Sequence, residues 1–299
     1  MKSLTLKPEA LFQSFNLSAY LGICKVKVVV MLVITAWVGL MLAPDMNRTL
    51  FEQSMSLLGI GLLSASAAAI NHVVDREIDK KMARTRHRPL VQTQLSVKQA
   101  LGFAALIGLI GSVSLFYWSN TLTLFMTLGA LVGYAVVYTM FLKRATPQNI
   151  VIGGLAGAMP PLLGWISETG QLDVQAWLLV MIIFIWTPPH FWALAIARRN
   201  DYKRANIPML PVTHGSEFTR FFIVIYSILL FVVCLLPYLV TMSGNIYLLC
   251  VLTLNSVFLY KSIVLYIKRS DESAMALFHF SITYLLLLFI SLFIDRWIL

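Results

Sequence analysis

Charge is scarce in this chain. Asp, Glu, Lys and Arg together make up 12% of its 299 residues, against roughly 25% in soluble domains. That is too little to solvate a soluble surface, which excludes an ordinary water-borne enzyme. Acid is scarcer than base, with 13 Asp and Glu against 23 Lys and Arg. The three cysteines, Cys24, Cys234 and Cys250, form no close-spaced pair, so neither a disulfide framework nor a cysteine zinc site is encoded. Met1 to Tyr20 lacks a clean apolar core and carries Glu9. It reads as neither a cleavable signal nor an Arg-rich transit segment.

What fills the chain instead is apolar sequence, 59% of the residues. Runs of about twenty apolar residues suffice to cross a bilayer, and nine recur here, at about 26–43, 54–73, 97–118, 121–141, 150–167, 174–196, 218–240, 245–266 and 277–295. The expected fold is all-α: a polytopic membrane protein with about nine transmembrane helices around a central cavity closed by two cytoplasmic loops. One domain covers 1–299, and residues 1–22 form a cytoplasmic N-terminal segment. With that N-terminus inside, every Lys and Arg except Arg48 and Arg296 falls on the cytoplasmic side. The positive-inside rule therefore supports both orientation and count, with the C-terminus outside. The net charge of +10 is mostly topology, and a nucleic-acid partner is not expected.

The outer connections are short, whereas the long polar ones, about 74–96 and 197–217, both lie inside. Four crossings separate them, as in a parallel duplication of a four-helix unit. Two loops on one face can close over one cavity. The first carries Asn71, Asp75 and Asp79, followed by Lys80, Lys81, Arg84, Arg86 and Arg88. Steps of four residues drift only about 40° around a helix, so the three oxygen-bearing side chains share a face. Hard divalent cations seek such oxygens, and Mg²⁺ takes one or two carboxylates plus phosphate oxygens and water. The same run also suits a solvated, helix-ending charge patch.

The second loop places Asp201 among Arg198, Arg199, Lys203 and Arg204. His190 precedes Asp201 by eleven residues, so a continuous helix would put both on one face. Trp186-Thr187-Pro188-Pro189 is expected to distort the helix, as a break or as a simple kink with an aromatic belt at the interface, because neither proline donates a hydrogen bond. Broken helices at membrane depth are tolerated where they line a cavity. A third segment, Tyr138 to Lys143 and Arg144, runs into Gly153, Gly154, Gly157 and Gly164. Lys143 and Arg144 can reach the same phosphate or anchor topology. The glycines suit close helix packing better than a phosphate cradle, since no Walker-type lysine follows.

This constellation suits a lipid diphosphate, with its head on Mg²⁺ and cations and its tail between helices. Each buried CH₂ contributes about 0.8 kcal/mol. Ionising the carbon–oxygen bond requires the departing charge to be neutralised. Aromatic faces stabilise the allylic cation, with Tyr138, Phe141, Trp186, Phe191 and Trp192 as candidates. Asp75, Asp79, Asp201 and Lys143 are the catalytic candidates, and Asn71, Asp75, Asp79 and Asp201 the metal ligands. Substrate-binding candidates are Asn71, Arg84, Arg88, Tyr138, Lys143, Arg144, His190, Trp192, Lys203 and Arg204.

The Asn71-x₃-Asp75-x₃-Asp79 row and the nine-helix plan resemble the intramembrane prenyltransferase superfamily that includes 4-hydroxybenzoate polyprenyltransferase. The chain resembles its protohaem IX farnesyltransferase (haem O synthase) branch more closely. The carrying segments are Asn71–Asp79 with Thr85–Leu90, Tyr138 through Lys143-Arg144 to Trp165, and Trp186–Trp192 through Asp201-Tyr202-Lys203 to Pro211. The resemblance implies that farnesyl diphosphate is joined to a vinyl group of haem b with water added, giving haem O and diphosphate. It also implies a lipid-bilayer setting and a downstream haem A synthase or terminal-oxidase assembly as consumer. Many members of the superfamily carry two or three aspartates in the second loop, where this chain has Asn200-Asp201. Lys203, Arg204 or Lys143 is expected to replace part of that charge. His190 and His279 lie in or near apolar helices, where either can ligate haem iron or serve as a hydrogen-bonded structural residue. The alternatives are a prenyltransferase acting on an aromatic quinone precursor and a secondary transporter. Transporter ion sites lie near the bilayer midplane, whereas the central parts of all nine spans lack acid.

Overall fold

The computed structural model describes residues 16–44 and 47–298, and Lys2, Lys7 and Glu9 lie outside them. The described chain is helical and without strands. Eight helices are long and apolar enough to cross a membrane. They are α3 (Leu50–Val74), α5 (Val97–Trp118), α6 (Thr121–Val132) with its continuation through α7 (Lys143–Ala145), α8 and α9 (Asn149–Ala158, Pro160–Thr169), α10 (Val174–Ala197), α13 (Gly215–Leu239), α14 (Asn245–Lys268) and α15 (Asp271–Ile298), with the short α4 (Arg76–Lys81), α11 (Arg199–Arg204) and α12 (Leu210–Thr213) in the connections. Among the described residues the helices α1 (Leu17–Ile23) and α2 (Val26–Met41) meet at 55°, and they make a ninth span when the bent pair is counted as one. The apolar runs of the sequence fall on these helices, the first of them on α2, while Leu17–Ile23 of the expected N-terminal segment is helical as well.

Helix starts follow capping chemistry. Thr49 and Glu52 form a reciprocal capping box at α3, and Ser96 and Gln99 form another at α5, each satisfying two otherwise orphaned N–H groups. Large apolar side chains such as Leu109, Phe116, Leu249 and Ile267 point outward, 63–70% exposed, the faces that acyl chains cover. Inside, α10 packs on α13 and α15, and α2 packs on α9. A Cβ at Gly39 would meet the Pro161 carbonyl oxygen at 2.0 Å, and one at Gly164 would meet that of Ala36 at 1.8 Å. Only glycine allows α2 and α9 this approach, so Gly164 acts in helix packing as its sequence context suggested.

Two expectations are corrected. No break occurs at Trp186–Pro189, because α10 is helical without interruption from Val174 to Ala197. The prolines remove donors only to the carbonyls of Phe184 and Ile185, the Ile183 carbonyl receives the Thr187 hydroxyl, and packing on both sides holds the rest. The helix instead stops at Arg198, and the separate α11 (Arg199–Arg204) carries Asp201. His190 and Asp201 are therefore not on one face of one helix.

Candidate functional site

Asn71, Asp75 and Asp79 occupy the junction of α3 with the short α4 (Arg76–Lys81). The Asp75 N–H donates to the Asn71 carbonyl and that of Asp79 to the Asp75 carbonyl, at 2.9 and 2.8 Å. The helical ladder thus passes through the junction, and the three side chains share a face as their spacing predicts. All three are buried, 2–3% exposed.

Their partners come from distant parts of the chain. Asp75 Oδ2 accepts from Lys143 Nζ at 2.6 Å and from Asn71 Nδ2 at 2.9 Å. Asp79 Oδ2 accepts from Arg88 at 2.7 Å. Asp75 Oδ1 is buried with no partner, an expensive state for a carboxylate oxygen and a fitting one for a hard cation's ligand. The Asn71 amide has a fixed orientation: Nδ2 faces Asp75 and Thr139, while Oδ1 accepts from Lys25 Nζ at 2.6 Å.

Two features of the backbone bring these partners in. Lys25 sits at the α1–α2 bend with φ 52 and ψ 50, a left-handed conformation costing an L-residue roughly 1–2 kcal/mol. The bend aims its ammonium at Asn71, with Tyr134 OH at 3.3 Å. Residues Gly133–Leu142 form a π-helical continuation of α6, a rare geometry concentrated at functional sites. There the Thr139 hydroxyl donates to the Tyr134 carbonyl five residues back, leaving its oxygen to accept from Asn71 at 3.1 Å. The segment stacks Tyr134 on Tyr138, with centroids 5.6 Å apart, and delivers Lys143 to Asp75. Tyr138 lies against Gly153, where a Cβ would meet the ring at 2.1 Å.

The second loop lies over the first. Ile78 and Met82 from one pack with Tyr202, Ala205, Ile207 and Met209 from the other. Burial pushes the Tyr202 phenol above its ordinary value, with the neighbouring Arg84 charge pulling the other way. Asp201 is 7% exposed and pairs with Arg204 three residues on, whose side chain is 64% exposed. The remaining expected residues are more scattered. Lys203, Arg84 and Arg144 are exposed, and Arg144 reaches only the Val74 carbonyl at 3.5 Å. Trp192 is buried against Phe222 and Tyr226 of α13, and Phe141 is 63% exposed. His190 lies at the α10–α15 contact, bonded to Ser281, while His279 is exposed.

Sequence reading missed three members. Lys25 counts in the sequence only toward topology, and Thr139 only as part of the segment from Tyr138 to Arg144. His72, buried beside Asn71 with both ring nitrogens unpartnered, was taken as part of a loop. The lysine near an apolar helix start was the one available signal. Among the described residues, no group of three or more His, Cys, Asp or Glu side chains converges on a metal position. A cation held here must draw ligands from its substrate, the usual arrangement for Mg²⁺ with phosphate.

Known proteins give this arrangement a context. The UbiA prenyltransferase family profile matches residues 32–293. Protoheme IX farnesyltransferase 2 of Pseudoalteromonas translucida is 66% identical over 96% of this chain and 93% of its own length. Protoheme IX farnesyltransferase of Psychromonas ingrahamii is 62% identical over 95% and 91%. Among solved structures, digeranylgeranylglyceryl phosphate synthase superimposes with a TM-score of 0.78 at 18% identity, covering 95% of this chain and 99% of its own. A UbiA homologue from Archaeoglobus fulgidus bound to GPP and Mg²⁺ gives 0.64 at 16% identity, covering 92% and 99%. With a family profile spanning most of its length, relatives this similar and the same helical fold, the chain belongs to the UbiA prenyltransferase family.

Proposed function

We propose that this protein transfers the farnesyl group of farnesyl diphosphate to a vinyl group of haem b, with water added, giving haem O and diphosphate. The observation that carries the reading is the near-full-length identity of 66% to a protein named for protohaem IX farnesyl transfer. The loop geometry supports a prenyl diphosphate as donor. Lys143, Lys25 and Arg88 bring three cations to the Asn71–Asp75–Asp79 row, where charge builds on the departing diphosphate. Tyr134 and Tyr138 offer stacked ring faces about one to two turns before Lys143, suited to an allylic cation. Carbon–oxygen ionisation releases diphosphate, the vinyl carbon attacks the cation, and water captures the resulting centre. No phenolic proton has to be removed from such an acceptor, so no dedicated base is needed for its activation.

Mg²⁺ fits this site. Asp75 Oδ1 is an orphaned buried oxygen, and Asp79 and Asp201, with Asn71, are the other candidate ligands. When bound, the ion neutralises developing phosphate charge. Arg84, Arg144, Lys203 and Arg204 are assigned to the outer phosphate oxygens, at the exposed edge of the loops. The proposed setting is the bacterial inner membrane, with both loops and the N-terminus cytoplasmic, the C-terminus outside, and haem O passed to a haem A synthase or terminal oxidase.

Purified protein in nanodiscs, given radiolabelled farnesyl diphosphate with haem b or 4-hydroxybenzoate, tests the reading. Label should move to haem only and stop with a chelator. Transfer to hydroxybenzoate, or to neither, overturns it. For orientation, cysteines placed at Thr93 and Asn206 should react from one face and one at Gly170 from the other.

A further inference from the structure

His190 is more constrained than a helix-packing histidine needs to be. Its ring stacks between Trp186 (centroids 4.3 Å apart, planes at 18°) and Phe278 (4.7 Å, 27°), with Phe191 edge-on at 4.9 Å. The Trp186 indole N–H is tied to the Ser281 carbonyl at 3.0 Å. His190 Nδ1 lies 2.6 Å from Ser281 Oγ, and that hydroxyl is 2.6 Å from the Phe278 carbonyl. A hydroxyl has one proton. The Phe278 carbonyl only accepts, so Ser281 spends its proton there and must accept from His190. Nδ1 is therefore the protonated nitrogen, and Nε2 carries a bare electron pair.

Nothing in the described fold uses that pair. No hydrogen bond engages Nε2, and it is not among the occluded unpartnered atoms, where both nitrogens of His72 stand. A neutral imidazole with Nδ1–H tied to an acceptor and Nε2 open is how metal-ligating histidines are oriented. Among the described residues it belongs to no group of three or more His, Cys, Asp or Glu side chains, so the site does not cage a free ion. It suits a metal that brings its other ligands along, which is what a porphyrin iron does. At 1.5 Å rise per residue, His190 stands about 10 Å below the end of α10 at Ala197, on the membrane side of the two loops.

We infer that His190 Nε2 is the axial ligand of the haem iron during farnesyl transfer, and that Ser281 is a positioning residue that fixes its tautomer and ring plane. The inference rests on the proposed function and names where that reaction holds its acceptor. The porphyrin sits at the α10–α15 seam while the diphosphate is held at the loops.

The test is optical titration of haem b into nanodisc-embedded protein, with farnesyl diphosphate affinity measured alongside. Wild type should give a histidine-ligated spectrum. His190→Gly should lose it and regain it with imidazole in solution. Ser281→Ala should bind haem b roughly 10- to 100-fold more weakly, while Ser281→Thr, which keeps the hydroxyl, stays near wild type. Farnesyl diphosphate affinity within about threefold in each variant shows that the loops are intact. An unchanged spectrum in His190→Gly, or its loss in His279→Ala instead, overturns the ligand assignment. Wild-type affinity in Ser281→Ala overturns the tautomer argument. If wild type farnesylates haem b while His190→Gly keeps the wild-type spectrum, this inference falls alone. If wild type neither binds nor farnesylates haem b, the proposed function falls with it.

Discussion

The two loops hold carboxylates in opposite ways. In the first, Asp75 is gripped by Lys143 from 68 residues away, and Asn71 by Lys25 from 46 residues away. These long-range partners are themselves fixed by a left-handed bend and a π-helical segment. In the second, Asp201 has an i,i+3 partner, Arg204, whose side chain is 64% exposed. Buried pairs leave an uncompensated charge when broken, whereas solvent-exposed pairs contribute little. The first loop is thus preorganised and the second adaptable. In the proposed reaction, closing over the diphosphate falls to the adaptable loop and holding Mg²⁺ to the preorganised one.

The largest effect is expected where preorganisation is greatest. Asp75→Asn keeps size but removes the charge that Lys143 and the orphaned Oδ1 depend on, so turnover should fall about 10³-fold in a folded protein, read by steady-state assay. Lys143→Met leaves Asp75 buried without its cation and should cost about 3–5 kcal/mol of stability. Thermal unfolding in detergent would measure it, and an unchanged midpoint would mean the first loop is no more committed than the second.

Next comes Lys25→Met. Losing one charge-assisted hydrogen bond should raise the KM for farnesyl diphosphate about tenfold with modest change in stability. Arg204→Ala should change either quantity less than Lys25→Met, since Arg204 is itself 64% exposed and its partner lies only three residues away. The reverse ranking would erase the contrast between the loops.

Much of this was legible in sequence. Apolar run length gave nine spans, and spacing by four put Asn71, Asp75 and Asp79 on one buried face. Lys143, expected on charge and side of the membrane to reach the phosphate group they hold, lies against Asp75 itself. What stayed hidden depends on backbone geometry that no spacing rule carries. Lys25 reaches the site only because its φ is 52°, and Thr139 faces Asn71 only because a π-helix turns it there. The uninterrupted α10 shows a local rule losing to context: Pro188-Pro189 reads as a break, but packing against α13 and α15 holds the helix through it. Trp192, expected among substrate contacts, follows that unbroken helix to pack against Tyr226 of α13 instead.

The smallest expected effect concerns the seam between the loops. Burial raises the Tyr202 phenol above its ordinary value, with Arg84 opposing. A raised value favours the neutral phenol in the fold. Its contribution is complete below the unfolded value of about 10 and is lost as pH climbs through the folded value. Tyr202→Phe should leave neutral-pH stability within about 1 kcal/mol and reduce the loss of stability above about pH 10, followed by thermal unfolding across that range.

The most direct test of the division between a rigid metal-fixing loop and an adaptable covering loop is calorimetric binding of farnesyl diphosphate with and without Mg²⁺. Wild type should bind tightly only with Mg²⁺. Asp201→Asn should bind about tenfold more weakly yet keep the Mg²⁺ dependence, and Asp75→Asn should lose that dependence. Full Mg²⁺ dependence in Asp75→Asn, or its loss only in Asp201→Asn, would contradict the account.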